Sequence, residues 1–238
     1  RRGDVGIAQL RDDHGRFSRF MGTFWTLDFG AGCLYTIAMK STNITRVSHL
    51  VATEDRWRRQ GHRGGVLWLT GLPASGKKTL AAALEQRLFA DGFEVFAFDS
   101  GFLRKGLSRD LGFGRDARRE NIRRAGELAA VMARAGTVVI TAFISPYAAD
   151  RAQARKAAET FHEIYLDVPV ELCAARDRGG RYARARAGEL ADFTGVSAPY
   201  EAPDAPEVRL QPAQGGVDID AWVERLAVYV EANFRETE

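Results

Sequence analysis

The residues best suited to chemistry begin at Gly71. Gly71-Leu72-Pro73-Ala74-Ser75-Gly76-Lys77 sets two glycines around a short polar stretch and ends on a lysine. The apolar run Val66-Leu67-Trp68-Leu69-Thr70 precedes it, and helix formers from Thr79 to Ala90 follow. A glycine-rich turn between a strand and a helix wraps phosphate with backbone N–H groups, and a lysine at its end neutralises the β and γ charges of a nucleotide. The loop from Gly71 to Thr79 is therefore expected to hold a nucleoside triphosphate, with Lys77 acting on its phosphates. The next position departs from the pattern. A Ser or Thr hydroxyl normally follows that lysine and ligates Mg²⁺, but here Lys78 follows, with Thr79 after it. An ammonium repels a cation. Thr79 lies about 100° further around the helix and cannot simply substitute. No residue is assigned to metal.

The elements that must position this loop alternate along the chain from Gly65 onward. Phe93 to Phe98, Thr137 to Phe143 and Glu163 to Asp167 read as further strands, with helices expected over Arg119 to Ala135 and Ala148 to Thr160. Strands apolar on both faces and separated by helices imply a parallel sheet covered on both sides. The expected fold is α/β, a doubly wound parallel sheet with helices on both faces. Upstream, Arg16 to Leu27 and Cys33 to Ala38 are aromatic and Thr-rich around Gly30-Ala31-Gly32, which reads as short β-strands about a turn. Residues 52 to 63 are polar and basic, as in a short helix or linker. The expected divisions are a β-rich segment over 1–46, a linker over 47–63 and the α/β domain over 64–238.

Composition removes several classes. An apolar fraction of 45% with 27% charged residues is that of a globular chain able to bury a core. Lys and Arg number 34 against 31 Asp and Glu, so the pI near 9.0 hints at anionic ligands rather than a nucleic-acid surface. No apolar run approaches the roughly 18 residues of a membrane span, and no signal peptide is evident. A cytoplasmic protein is expected. Cys33 and Cys173 match no metal or disulfide spacing. The chain opens on Arg1, as expected of a processed chain or a fragment of something longer.

Beyond the loop, ordered blocks carry a resemblance. They are Arg104 with Gly106 to Phe113; Arg118 with Glu120 to Arg124; Ala142 to Tyr147; Cys173 to Asp177; Ala185 to Glu189; and Phe193 to Val196 with Pro199 to Pro203. Over most of residues 65–212 the chain resembles the adenylylsulfate kinase family. That resemblance implies a P-loop kinase using ATP as co-substrate with Mg²⁺, and adenosine 5′-phosphosulfate (APS) as acceptor. It implies that Arg104, Phe113, Arg118, Asn121, Ile144, Ser145 and Phe193 line the acceptor site. Physically, Arg104, Arg118 and Asn121 can donate to a phosphosulfate, and Phe113 and Phe193 offer faces for an adenine.

Ser145 matches a family serine recorded as a phosphorylated intermediate. In-line transfer needs no such intermediate, and the residues favour Ser145 as a loop residue contacting substrate or marking the site. A second departure lies where the family reads Asp-Gly-Asp-Asn, and this chain reads Asp99-Ser100-Gly101-Phe102. Asp99 remains as a catalytic candidate. The second carboxylate, suited to orienting metal or accepting the acceptor hydroxyl's proton, is absent at Gly101. Ala117 also stands where Asp is usual, and Arg184 where Lys is common. A slow kinase, a catalytically impaired nucleotide-binding module and an error in the recorded sequence all stay open, and another small-molecule P-loop kinase would leave the Phe-Thr-Gly and Pro-Tyr-Glu-Ala-Pro blocks without a role.

The N-terminal residues Gly15-Arg16-Phe17, Gly30-Ala31-Gly32 and Thr42-Asn43-Ile44-Thr45 are similar to the closing strands of the large subunit of sulfate adenylyltransferase, which ends in an elongation-factor-like β-barrel. Bifunctional proteins joining that subunit to such a kinase, some serving nodulation-factor sulfation, are what this resemblance implies. It also implies a sulfate adenylyltransferase small subunit as partner, and the kinase resemblance implies a homodimer.

Overall fold

The computed structural model describes residues 8–11, 17–21, 24–27, 35–38 and 49–236. The chain divides into two units, Arg1–Leu50 and Val51–Glu238. The described part of the first is a four-stranded antiparallel meander of β1 (Ala8–Arg11), β2 (Phe17–Met21), β3 (Phe24–Leu27) and β4 (Tyr35–Ala38). The run read as one strand through Leu27 is two, folded back so that Met21 pairs with Phe24. The turn expected at Gly30 to Gly32 and the Thr42 to Thr45 motif lie outside the described residues.

The second unit opens with α1 (Thr53–Gln60), inside the polar stretch, and continues as β5 (Gly65–Gly71), α2 (Lys77–Ala90), β6 (Val95–Asp99), α3 (Ser100–Lys105) and α4 (Arg115–Arg134). It closes with β7 (Val138–Ala142), α5 (Ala148–Ala157), β8 (Phe161–Leu166), α6 (Val170–Arg176), α7 (Arg181–Arg186), β9 (Val208–Leu210) and α8 (Ile219–Phe234). The five strands are parallel in the order β6-β7-β5-β8-β9. Every residue of β5 and β7 is buried, which is why both read as unbroken apolar runs.

Alternation along β5 sends side chains to two cores. Leu67 and Leu69 join Leu80, Leu84 and Leu88 of α2 and Trp222, Leu226, Val230 and Phe234 of α8. Val66 and Trp68 join Ile122, Ala125 and Ala129 of α4 and Ala154 of α5. Each fully buried leucine contributes about 1.5–3 kcal/mol, so the sheet is clamped from both faces and its strand ends are held in register. Helix α4 starts earlier than its apolar period, because its first turn, Arg115 to Arg118, is largely polar and holds none of the helix's buried residues. Helix α5 ends at Ala157, ahead of Thr160.

Candidate nucleotide and acceptor site

The candidate residues at the ends of β5, β6 and β7 lie at the C-terminal edge of the sheet, where open parallel sheets bind ligands. Gly71 at the end of β5 aligns with Leu166 of β8, while Asp99 of β6 and Leu69 of β5 both pair with Ala142 of β7. Gly71 has φ 148° and Gly76 φ 104°, and a Cβ on Gly71 would sit 2.8 Å from the Leu166 carbonyl oxygen. Only glycine accepts both the backbone angle and the contact. Gly76 caps α2 without a side-chain bond, so the first amides of that helix have no capping side chain.

Lys77 is buried at the floor of the loop, where its ammonium donates to the carbonyls of Gly71 at 2.8 Å and Leu72 at 2.7 Å and to Ser75 Oγ at 3.2 Å. Burial pulls its pKa down to about 7, with Arg181 and Lys78 pushing the same way and Cys173 opposing them. The three acceptors favour the protonated form. Lys77 is thus a cation held among neutral acceptors, and an anionic phosphate stabilises it more strongly than they do. Pro73 is fixed from outside: the Tyr182 hydroxyl donates to its carbonyl at 2.9 Å, and Phe193 meets the Tyr182 ring edge-on at 5.0 Å.

Lys78 turns the other way. Its ammonium lies 2.6 Å from Asp99 Oδ2, while the other oxygen of that carboxylate accepts from the Phe102 amide at 2.8 Å and caps α3. Burial pushes the Asp99 carboxyl up, but the Lys78 ammonium and the Phe102 amide outweigh it and hold the group below its usual range. Thr79 is exposed. A Mg²⁺ ion needs several oxygen donors, and these residues do not fit one. The position expected to offer a hydroxyl offers an ammonium, Gly101 offers nothing, and Asp99 is engaged on both oxygens. Among the described residues no group of three or more His, Cys, Asp or Glu side chains is arranged to hold a metal.

Among the residues expected to hold the acceptor, Ser100 is a hub that sequence reasoning missed. Its hydroxyl accepts from Arg104 Nε at 3.3 Å and from Asn121 Nδ2 at 3.2 Å, while Asn121 Oδ1 is buried with no hydrogen-bond partner. Arg104 also donates to the carbonyls of Leu111 at 2.8 Å and Gly112 at 2.7 Å and stacks on exposed Phe113, 4.6 Å from the ring centroid. Arg118 donates to the Asp192 carbonyl at 2.9 Å, next to Phe193. Burial lowers the Arg104 pKa, and the nearby Arg118 charge adds to the effect. Both guanidiniums therefore face neutral oxygens, and among the described residues no carboxylate is bonded to either.

Ser145 sits between the two sides but is closed off. It is 2% exposed with φ 39°, and its Oγ accepts from the Trp68 indole N–H at 3.1 Å and donates to Thr70 Oγ1 at 3.0 Å. Thr70 in turn bonds the Ile144 carbonyl at 2.8 Å and the Tyr200 hydroxyl at 3.0 Å, and Arg151 donates to the Ser145 carbonyl at 2.8 Å. Trp68 stacks on Phe143 and Phe161 at 5.4 and 5.7 Å. Tyr200 belongs to the Pro-Tyr-Glu-Ala-Pro block, whose place in this network needed long-range geometry to see. Beside the loop, Arg176 and Val217 approach Gly76. A hollow of about 590 Å³ opens nearby at the ends of β8 and β9, lined by Asp167, Pro169, Leu172, Gln211, Pro212 and Gly216.

Among the described residues no helix is long and apolar enough to cross a membrane. Residues 63–211 match the family model described as adenylylsulphate kinase. An adenylyl-sulfate kinase of Yersinia pestis is 51% identical over 174 residues, spanning 72% of this chain and 82% of that protein. Another from Enterobacter sp. (strain 638) is 47% identical over 180 residues, or 75% of this chain and 90% of that protein. A Mycobacterium tuberculosis APS kinase solved in complex with AMPPNP and APS superposes with a TM-score of 0.67 at 40% identity, covering 71% of this chain and 98% of that one. The parallel sheet, the phosphate loop and the family match agree, and the chain belongs to the adenylylsulphate kinase family.

Proposed function

We propose that this chain transfers the γ-phosphoryl group of ATP to the 3′-hydroxyl of APS, giving 3′-phosphoadenosine 5′-phosphosulfate. The observation that carries this reading is the pairing of a phosphate loop, with Lys77 at its floor, and an acceptor wall in which Arg104 and Asn121 hinge on Ser100 and Arg118 bonds the Asp192 carbonyl, neither guanidinium paired with a carboxylate among the described residues. The triphosphate lies over Gly71 to Lys77, and its base reaches toward the hollow at β8 and β9. The phosphosulfate exchanges for the carbonyl partners of Arg104 and Arg118 in charge-assisted bonds, and Asn121 Oδ1 has a free acceptor for a substrate donor. Phe113 and Phe193 flank the acceptor base. Transfer is then a matter of alignment and charge stabilisation. The relative from M. tuberculosis, solved with AMPPNP and APS together, supports a site for both substrates.

Ser145 serves here as a structural pin rather than a phosphate carrier, because its hydroxyl is buried and bonded on both sides. The β-rich first unit is read as the end of an elongation-factor-like barrel of a sulfate adenylyltransferase large subunit. A small-subunit partner and self-association follow from the same resemblances. A second reading, a nucleotide-binding module without turnover, is favoured specifically by the Lys78–Asp99 pair beside Gly101. A coupled assay of ATP-dependent APS phosphorylation by the full chain, alongside Lys78→Ser with Gly101→Asp, separates the two. Turnover by the unmodified chain supports the kinase. Turnover by the double variant alone supports the second reading. A chain that binds neither ATP nor APS sinks both.

A further inference from the structure

We infer that Lys78 is a built-in countercharge, so that this chain binds ATP in its metal-free form and gains no nucleotide affinity from a divalent cation. The inference rests on reading Gly71 to Lys77 as the nucleotide site. It starts from charge balance at the strand end. A loop of this type ordinarily offers a hydroxyl that holds a cation against the phosphates; here the same helix position carries the cation covalently. Lys78 is 73% exposed at its side chain and, among the described residues, is held by one partner, Asp99 Oδ2 at 2.6 Å. It can therefore turn toward a phosphate without leaving a buried carboxylate bare, since Asp99 keeps its bond from the Phe102 amide.

Gly101 completes the argument. The three atoms nearest to a Cβ built there would be Asp99 Oδ1 at 3.1 Å, Lys78 Nζ at 3.8 Å and Asp99 Cγ at 3.9 Å. A carboxylate at this position would stand beside Asp99 and make the corner acidic. Glycine leaves one ammonium against one carboxylate, a corner of zero net charge. A divalent cation entering it would face an ammonium and one carboxylate already bonded twice. An incoming triphosphate faces Lys77 and Lys78 on adjacent positions of α2, both at the positive end of that helix. The two departures thus act together: one supplies a cation and the other removes the ligand a metal would need.

The test is calorimetric titration of ATP into the full chain, once with magnesium chloride and once with EDTA. The expected result is dissociation constants agreeing within about threefold, where a metal-dependent site would differ by tenfold or more. Lys78→Ala should weaken metal-free binding about tenfold, and Lys78→Ser with Gly101→Asp should make binding depend on magnesium. The unmodified chain alone decides the matter, so an unstable variant leaves the test intact. ATP binding seen only with magnesium overturns the inference and leaves the kinase reading standing. ATP binding in neither condition overturns the nucleotide site itself, and both readings fall with it.

Discussion

The two sides of the site carry similar numbers of cations and treat them oppositely. On the acceptor side Arg104 and Arg118 bond only to carbonyl and hydroxyl oxygens, so their charge is still available. On the phosphate side Lys78 is neutralised by Asp99 and Lys77 is buried among neutral acceptors. The difference teaches that a guanidinium can wait for an anion without a countercharge because it cannot lose its proton, whereas the exposed ammonium of Lys78 is held by a carboxylate and the buried one of Lys77 has its pKa lowered.

The largest expected effect is on the phosphate side. Lys77→Ala should cut the rate of APS phosphorylation by about 10²–10³, read in a coupled assay, with ATP binding lost as well; a variant near full rate would break the assignment. On the acceptor side, Arg118→Ala or Arg104→Ala should raise KM for APS about ten- to a hundredfold while leaving the ATP dissociation constant unmoved. Equal effects on both substrates would erase the distinction between the sides. Between them, Ser145→Ala leaves the buried Trp68 N–H unpaired and should cost about 1–3 kcal/mol in urea unfolding, with transfer retained. Abolished transfer at unchanged stability would instead restore a covalent role for this serine.

The smallest effect is on pH dependence, and it separates lysine from arginine. In the unliganded fold Lys77 titrates at about 7 against 10.5 for an unperturbed lysine. The unfolded chain therefore binds more protons in that window, and stability rises with pH. Between pH 7 and 8 the gain should be at most about 1.4 kcal/mol per unit, measured by urea unfolding, and saturating ATP should flatten it by holding the proton on Lys77. Affinity for APS, resting on guanidiniums, should stay level over the same range. A slope that persists with ATP bound would place its source elsewhere.

Much of this was legible in the sequence because it is local. Strand β5, the loop and α2 are contiguous and announce themselves by apolar run, glycine spacing and helix formers. Other features were hidden for physical reasons. Helix α8 had a signal that was passed over: Trp222, Leu226, Val230 and Phe234 recur every fourth position and form much of one core. Strand β9, Val208–Leu210, is too short to show a period. The Lys78–Asp99 pair and the bond from Asn121 to Ser100 join residues about twenty positions apart, set by where β6 ends relative to β5 and by the return of α4. The resemblance named Arg104, Arg118 and Asn121 as a set, but only the fold supplies Ser100 as the hinge two of them share.

Trp68 turns the middle of the site into an optical instrument. Its indole is fully buried, stacked between two phenylalanine rings, and tethered through its N–H to the Ser145 hydroxyl at the strand edge where both substrates would meet. Such a fluorophore emits at short wavelength, and its excited-state dipole senses whether the tether is made. A rearrangement of the segment after β7 therefore alters the emission of Trp68, and with the chain's other three tryptophans replaced by phenylalanine the site can be followed in real time without a label.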